Sequence, residues 1–371
     1  MILLGAGFSH NWGGWLGQEV FNHLIGVREI RRHERLTQLL WQHQSGRGFE
    51  DAIAEVQRDY RLDPTRHGAE LKAFQDAVEQ MFADMNEGYA ANPGWEFQQE
   101  QAFMVRTFLV QFEAIFSLNQ DLLIEQKYLN DNVMLGSRDK WGGWQIPGMS
   151  VKMGSVEPLQ ERATGVSTPS ASMATDPRFQ PLYKLHGSVN WRDADDQTLM
   201  IIGGDKAQQI QTHSILSSYA HAFEARLTRP ETRLMIIGYG FRDHHINRVV
   251  ARGVYEHGLQ FFVICPEGAK VAETFRSDVH PGAALTAFAY DLKDVFARGC
   301  VGISTRKLSE IFGADRGEHT RVMRFVNPAY MRKPQMVKAT SFMRPRCCIQ
   351  LRPPVPTHST CDAVANLSCA S

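Results

Sequence analysis

Two kinds of hydrophobic spacing alternate along this chain. Short apolar runs, typical of buried strands, occur near residues 2–4, 114–116, 182–185, 200–202, 233–237 and 260–264. Between them, apolar residues recur every three or four positions, which is helical spacing, for example from about 215 to 227 and onward from 243. Strands that alternate with helices predict an α/β fold with a parallel, doubly wound sheet.

The stretch between the first two predicted strands is long and follows a helical pattern. Two sets of apolar residues keep helical spacing: Phe49, Ala52, Ile53, Val56 and Tyr60, then Leu71, Phe74, Val78, Met81, Phe82 and Met85. We interpret residues from about 15 to 112 as a helical insertion after the first strand. Its apolar faces are expected to form core rather than cofactor contacts.

Two further segments lack a regular pattern. Residues from about 135 to 180 are rich in Gly, Ser, Pro and Thr, which predicts a long loop or a small subdomain. Residues 331–371 carry six basic side chains against one acid, with frequent prolines. The predicted organisation is one catalytic domain at residues 1–315 and a C-terminal extension at 316–371 that is largely disordered.

Composition narrows the class of protein. The 371 residues include 40 basic and 40 acidic ones, so no global positive charge favours nucleic-acid binding. Six cysteines without a Cys-x-x-Cys pair fit neither a disulfide framework nor a four-thiolate zinc site. No signal-peptide pattern opens the chain and no run of 18 apolar residues suits a membrane span. We therefore expect a cytoplasmic protein.

Four short segments follow predicted strands and contain the candidate chemistry. They are Gly5-Ala6-Gly7-Phe8-Ser9, Ser117-Leu118-Asn119-Gln120-Asp121, Lys184-Leu185-His186-Gly187-Ser188 and the GYGFRDHHIN segment at 238–247. Open α/β sheets bind their ligands where parallel strands end. The ordered set therefore predicts the walls of one nucleotide pocket.

The first segment is a glycine turn after a strand. Bare backbone at Gly5-Ala6-Gly7 would let phosphates approach N–H groups, and a simple tight turn into a helix is the alternative. His10 stands where a dinucleotide-binding fingerprint needs its third glycine. Ser9 is a candidate for a phosphate hydrogen bond or for a helix cap.

The second and third segments supply the catalytic candidates. Asn119 is an amide at a strand end, where a ribose hydroxyl or an attacking water would satisfy its hydrogen bonds. Asp121 suits a helix N-cap. His186 alone would more often be structural, but its position opposite Asn119 favours catalysis, and Gly187 next to it would let a ligand come close.

The fourth segment again joins a strand to a helix. Gly238-Tyr239-Gly240-Phe241 ends the strand, and Asp243 is a candidate for helix capping or for a hydrogen bond to a ribose diol. The pair His244-His245 suggests a metal, but adjacent helical residues point in different directions. No acid or cysteine at ligand spacing joins them, so we expect no metal site.

Taken in order, the four segments resemble the sirtuin-like (silent information regulator type) domains of bacterial anti-phage defence systems, over roughly residues 1 to 315. The resemblance implies a Rossmann-like NAD site with Asn119 and His186 as catalytic residues. It also implies NAD contacts from the other strand-end residues: Gly5, Ala6, Gly7, Ser9, Asp121, Gly187, Gly238, Tyr239, Phe241, Asp243 and His245. Defence proteins of this family hydrolyse NAD and oligomerise, and a partner ATPase, an Argonaute-type protein or a phage protein activates some of them.

Two departures separate the chain from sirtuin deacylases. It lacks the two cysteine pairs of their zinc module, and His10-Asn11-Trp12-Gly13-Gly14 stands where they have a Pro-Asp-Phe-Arg segment. Recognition of acyl-lysine peptides is therefore not expected. Within the defence-type pattern, Gln120 replaces a common tyrosine and Gly240 a common serine, both between motif residues.

Cleavage of NAD needs fewer groups than ordinary glycoside hydrolysis. Glycosidases use one carboxylic acid to protonate the leaving group and a second carboxylate. Nicotinamide departs as a neutral molecule from a cationic pyridinium, so no acid is required. An amide such as Asn119 can orient ribose and water. A histidine with a pKa near neutral, such as His186, can take a proton, which is typically worth about 10²–10⁴-fold in rate.

Our first hypothesis is an NAD hydrolase that releases nicotinamide and ADP-ribose as a toxic effector of phage defence. A non-catalytic NAD or ADP-ribose sensor is one alternative, and a transferase that moves ADP-ribose or an acyl group onto a protein is another. Because NAD loss harms the host, we expect a separate partner or assembly to trigger the activity. The helical insertion and the 135–180 segment are candidates for gating or oligomer contacts.

Overall fold

The computed structural model describes residues 1–44, 48–91, 102–129, 141–151, 164–170, 172–273 and 290–328. The chain divides into two units, Met1–Tyr330 and Met331–Ser371. The second unit lies outside the described residues, and so does its predicted disorder. Parts of the 135–180 segment are also outside them.

The strands confirm the predicted α/β class. Within the described residues, seven parallel strands form the main sheet in the order β11–β10–β9–β1–β2–β6–β3, and four form a second sheet in the order β4–β5–β7–β8. The strands are β1 Ile2–Leu4, β2 Ile115–Ser117, β3 Gly143–Gln145, β4 Met149–Val151, β5 Ser167–Pro169, β6 Phe179–Lys184, β7 Gly187–Arg192, β8 Thr198–Met200, β9 Arg233–Ile237, β10 Gln260–Ile264 and β11 Cys300–Ser304.

The order of the main sheet is that of a Rossmann-like fold. On one side of β1 lie β2, β6 and the edge strand β3. After β6 and the second sheet, the chain continues on the other side of β1 and proceeds outward through β9, β10 and β11. The winding direction therefore reverses between β1 and β9. In doubly wound sheets this switch point is where the crevice for a dinucleotide opens.

Four strands of the main sheet end at the same level. Leu4 pairs with Ser117 and with Ile237, and Ser117 pairs with Lys184. Strands β1, β2 and β9 are buried on both faces, so their side chains are apolar except for Ser117 and the exposed Arg233. The four segments singled out in the sequence begin at these residues or directly after them and therefore share one edge of the sheet.

The helices follow the predicted spacing. They are α1 Ala6–His10, α2 Gly17–Leu24, α3 Arg28–Arg31, α4 Glu34–Gln42, α5 Phe49–Leu62, α6 Pro64–Ala91, α7 Ala102–Leu109, α8 Lys206–Thr212, α9 Ser214–Leu227, α10 His244–His257, α11 Leu292–Gly299, α12 Leu308–Ile311 and α13 Arg316–Val326. The described residues also include a π-helical turn at Glu125–Leu129 and a 3-10 turn at Gly268–Ala272. Helices α2 to α7 occupy the predicted insertion.

Helix α10 shows why these segments fold as they do. Ile246, Val250 and Val254 recur every four residues and are buried, so one face of the helix packs against the protein interior. The helix ends at Gly258, whose φ of +68° suits a left-handed C-cap.

Two regions differ from their simplest sequence interpretation. The segment predicted as a long loop or small subdomain holds β3, β4 and β5, and β4 and β5 belong to the second sheet. The described part of the 316–371 extension contains α13, which buries Val322. No helix among the described residues is long and apolar enough to cross a membrane.

Candidate functional site

The first and fourth strand-end segments cross in direct backbone contact. Gly5 N–H donates to Ile237 O and Gly7 N–H donates to Gly238 O, both at 2.9 Å. A Cβ on Gly238, where φ is +65°, would lie 2.6 Å from the Cα of Gly7. Backbone packing thus accounts for these glycines. Two N–H groups that the sequence assigned to phosphate are bonded to protein carbonyls, and Ala6 is the exposed residue of the turn.

The side-chain amide nitrogen of Asn119 donates two hydrogen bonds within the protein. Nδ2 donates to Gly5 O at 3.0 Å and to Ser9 Oγ at 2.9 Å. Ser9 in turn hydrogen-bonds Asp121. With both amide protons used, the carboxamide oxygen is the atom that Asn119 can offer to a ligand. Ser9 lies inside α1 and is buried, so the helix-cap alternative for it was wrong.

Asp121 belongs to a buried polar cluster below this edge. Its Oδ1 accepts the N–H of Leu123 at 3.0 Å, which is the capping role that the sequence allowed. Lys184 Nζ donates to Asp121 O at 2.6 Å, to Glu125 at 2.7 Å and to Ser188 Oγ at 2.7 Å. Burial raises the pKa of the Asp121 carboxyl, although the Lys184 charge opposes the shift. The cluster fixes the positions of two neighbouring strand ends.

His186 follows β6 and is only 2% exposed. Its Nε2 lies 3.0 Å from Nε2 of His245, and it also hydrogen-bonds the backbone of Leu118. Burial lowers the pKa of His186 to about 3, and the charge of Lys206 adds to the shift, while Asp243 opposes it. The expectation of a near-neutral pKa was therefore wrong, because the sequence did not show how completely the ring is removed from water.

Gly187 allows a left-handed backbone conformation directly after His186. Its φ is +75°, and a Cβ there would lie 2.1 Å from Leu199 O. The close approach expected of a ligand at this glycine is therefore made by β8. His186 O also accepts the N–H of Ile201 at 2.8 Å, so the second sheet anchors the backbone of the candidate base.

Asp243 stands at the N-cap position of α10 but makes no capping hydrogen bond with its side chain. Its Oδ1 instead accepts from Lys206 Nζ at 2.9 Å, and Lys206 also donates to Glu50 at 2.9 Å. Burial acts against ionisation of Asp243, but the Lys206 ammonium, which donates to its Oδ1, lowers its pKa below the usual range. A buried carboxylate is therefore present beside the histidine pair.

Tyr239 and Phe241 stabilise the fourth segment through buried hydrogen bonds and ring packing. The Tyr239 hydroxyl bonds Asn247 Oδ1 at 2.8 Å, and Asn247 Nδ2 donates to Phe241 O at 2.7 Å. Phe241 is fully buried, with φ of +53°, and packs against Phe296. These contacts hold the turn before α10, and the side chains point into the core rather than to the exposed edge.

His245, His186 and Asp243 come together as a group. One potential ligand atom from each lies within 4.8 Å of the others. An acid, Asp243, therefore lies beside one histidine of the 244–245 pair, His245, which the sequence did not indicate. The acid is the residue just before the pair, which is too close in sequence to suggest shared coordination, and the second histidine comes from another strand end. Burial lowers the pKa of His245 to about 4, so both imidazoles are neutral at pH 7.

Lys206 and Glu50 were missed in the sequence. Both are charged residues in the first turn of a helix, where such side chains are usually solvated. Lys206 is 9% exposed and connects α10 with α5 of the helical insertion. No spacing rule relates positions 50, 206 and 243, so no local signal was available to find the connection.

A known protein family matches the part of the chain that contains three of the four strand-end segments. Residues 113–280 match the family described as SIR2-like domain. Residues 113–280 therefore correspond to a sirtuin-like domain. No curated protein matched the chain. SIR2-like domains use NAD as a substrate, which fits the Rossmann-like strand order.

The sirtuin-like match begins after the helical insertion and continues past β10. It includes three of the four strand-end segments. The first glycine turn lies outside the matched range, and the tertiary structure joins it to the domain through the hydrogen bonds of Gly5 and Gly7. An amide oxygen, two imidazole rings and a buried carboxylate thus lie at one edge of the sheet.

Proposed function

We propose that the chain is an NAD⁺ hydrolase that cleaves the nicotinamide–ribose bond and releases nicotinamide and ADP-ribose. The supporting observation is that Asn119 and His186 follow level, adjacent strands of a sirtuin-like domain. They lie at the edge of the sheet where doubly wound folds bind dinucleotides. The proposal does not need the paired carboxylic acids of an ordinary glycosidase.

The side chains have roles that suit a cationic reaction. The Asn119 oxygen accepts a hydrogen bond from a ribose hydroxyl or from the attacking water. Charge on the sugar grows as neutral nicotinamide departs, and the Asp243 carboxylate stabilises that charge electrostatically. The oxocarbenium-like sugar is a strong electrophile, so water needs little help from a base to attack it.

The low pKa of His186 suits this scheme, because it keeps the imidazole neutral. A protonated imidazole would repel the pyridinium of NAD⁺ and the cationic transition state. Once water takes the place of His245 at Nε2, the neutral imidazole of His186 accepts a hydrogen bond from it and takes its proton late, when the bond to nicotinamide is already broken. His186 thus acts as an acceptor whose weak basicity matches a reactive electrophile.

The biological setting follows from the resemblance to defence proteins. We propose a cytoplasmic effector of anti-phage defence that acts as a homo-oligomer. A separate ATPase, Argonaute-type or phage protein is the proposed activator. The contacts of the helical insertion with residues near His186 support a route for such control, because Glu50 reaches Lys206 and Gln57 donates to Ile202 O at 3.1 Å.

The test is direct measurement of NAD⁺ loss. Purified protein is incubated with NAD⁺, with and without a candidate activator, and nicotinamide and ADP-ribose are quantified by chromatography. His186→Ala and Asn119→Ala should each lower the rate by about 10²-fold or more. Asn22→Ala and His244→Ala, at exposed positions, should keep the wild-type rate.

Thermal unfolding of each variant separates catalysis from folding, because Asn119→Ala also removes two buried hydrogen bonds. Bound but intact NAD⁺ in the triggered oligomer would favour the sensor. Transfer of label from NAD⁺ to a protein would favour the transferase.

A further inference from the structure

The group formed by His186, His245 and Asp243 has the composition of a transition-metal site. Two imidazole nitrogens and a carboxylate oxygen form a ligand set that Zn²⁺ accepts in proteins. The two Nε2 atoms are 3.0 Å apart, and all three ligand atoms lie within 4.8 Å. Tetrahedral zinc with Zn–N bonds of about 2.0–2.1 Å needs its nitrogen ligands roughly 3.3 Å apart.

The surroundings orient these ligands as metal sites do. Nε2 of His186 faces His245, so its hydrogen bond to the Leu118 backbone falls to Nδ1. A proton on Nδ1 leaves the Nε2 lone pair directed at the group. Metal-bound histidines commonly donate their other nitrogen to a backbone carbonyl in this way, and metal-bound carboxylates are also hydrogen-bonded, here through Lys206 to Oδ1 of Asp243.

The charge balance favours a cation. Lys206 contributes one positive charge, and it is shared between two carboxylates, Asp243 and Glu50. The two carboxylates therefore exceed the one ammonium by one negative charge in this largely buried set of side chains, and a cation beside Asp243 is attracted to that charge. The charge of Arg248 also acts on His245, but this side chain is exposed and lies outside the set. The hydrogen bonds among described residues use only Oδ1 of Asp243, so its second oxygen is available as a ligand.

We propose that His186, His245 and Asp243 bind one Zn²⁺ ion through the two Nε2 atoms and a carboxylate oxygen, with a fourth position open to water. The ion occupies the nitrogen on which His186 would accept a proton. It also places positive charge beside a cationic substrate. Zn²⁺ therefore inhibits NAD⁺ cleavage, a consequence that rests on the proposed function, whereas the binding itself does not.

Binding is tested with Co²⁺, which replaces Zn²⁺ and absorbs visible light when four-coordinate. Metal-stripped wild-type protein should bind one Co²⁺ per chain, and added Zn²⁺ should displace it. His245→Ala and Asp243→Asn should each weaken binding by at least about 10-fold. His244→Ala is the matched control, because this histidine is adjacent in sequence, exposed and outside the group.

Absence of Co²⁺ binding by the wild type would overturn the proposal. Equal affinities of His245→Ala and His244→Ala would do the same, since the ion would then be held elsewhere. Thermal unfolding of both variants identifies any loss that is due to misfolding. His245→Ala removes no ion pair and remains informative if Asp243→Asn fails to fold.

The inhibitory consequence is measured separately. Saturating Zn²⁺ should lower the rate of NAD⁺ loss by at least about 10-fold in the wild type and in His244→Ala, and a chelator should restore it. Unchanged rates in Co²⁺-binding protein would refute the inhibition. If no NAD⁺ is lost under any condition, the proposed hydrolase fails, while the Co²⁺ titration still decides whether the metal site exists.

Discussion

Individual residues at the edge of the sheet are constrained by other segments more than by their own neighbours in sequence. Gly238 follows β9, yet its φ of +65° and its missing side chain are required by the first glycine turn, which passes directly over it. His186 follows β6, yet its ring is paired with a residue of α10. At Gly238 and His186 the residue type is therefore constrained by contacts with segments that are distant in sequence.

Gly238→Ala should destabilise the protein strongly. A Cβ there would lie 2.1 Å from Phe8 N, in addition to the cost of about 1–2 kcal/mol for a left-handed residue. Gly258→Ala is the matched control, since its φ is +68° and nothing lies within 4 Å of its Cβ. Urea unfolding should show a larger loss for Gly238→Ala than for the control, by at least about 1 kcal/mol. Equal losses would mean that the backbone crossing is not as tight as described.

Because the rings of His186 and His245 are buried, we expect the free energy of unfolding to fall in mild acid. The pKa of His186 is lowered to about 3 and that of His245 to about 4, so the unfolded chain binds more protons below about pH 6.5. Stability contributed by these rings is present above that pH and is lost as the pH falls toward 4. The slope reaches at most about 1.4 kcal/mol per pH unit for each histidine.

The measurement is urea unfolding between pH 7.5 and 4.5 with a chelator present. His186→Asn should show a shallower loss than the wild type, because one lowered pKa has been removed. His221→Asn, at an exposed position of α9, should keep the wild-type slope. Parallel curves for all three proteins would contradict the burial of the His186 ring.

At the scale of elements, most strands and helices could be predicted because their periodic patterns are local. The strands β1, β2, β6, β9 and β10 overlap the apolar runs, α9 begins and ends close to the expected positions, and α10 begins close to its expected start. Strands β3, β4 and β5 have only three residues each, in a segment rich in turn formers, so no period was long enough to detect.

Lys206 connects three elements, since it opens α8 and reaches α5 and α10. Lys206→Met should destabilise the protein by about 3 kcal/mol or more, because it leaves the buried Asp243 carboxylate without its partner. Lys72→Met is the control: Lys72 is 71% exposed and pairs with Asp76 on the same helix. Lys72→Met should lower the free energy of unfolding by less than about 1 kcal/mol in the same experiment. A Lys206→Met loss no larger than that of the control would show that Lys206 does not support the site.

At the scale of the whole molecule, strand order decides where chemistry is possible. The order places β1 between β2 and β9, so the winding reverses beside the first glycine turn. The pairing register of these strands, in which Leu4, Ser117, Ile237 and Lys184 align, then brings four polar segments to one level. The helical insertion lies between β1 and β2 in sequence, but its charged and amide side chains reach the segment after His186.

Activity should depend on assembly if the proposed function is right. An NAD⁺ hydrolase that was always active would harm its host, so the monomer is expected to be held inactive. The rate per chain should rise with oligomer content across a dilution series, with oligomer size measured by light scattering on the same samples. Full activity in a dilute monomer without an activator would contradict this.

The candidate site could be predicted only in part. Asn119, His186 and Asp243 were recognisable because each is a polar residue directly after or near an apolar strand. Their hydrogen-bond partners could not be inferred, nor could the lowered pKa of His186, because burial and charge depend on which segments meet.

The amino-acid sequence by itself determined the α/β class, the helical insertion and the four polar segments at strand ends. These features are encoded in spacings of two to four residues, which act between neighbours along the chain. Only the tertiary structure decided that His186 meets His245 and Asp243, and that Lys206 joins them to Glu50. Those contacts depend on sheet register and on the order of strands, which no short stretch of the chain specifies.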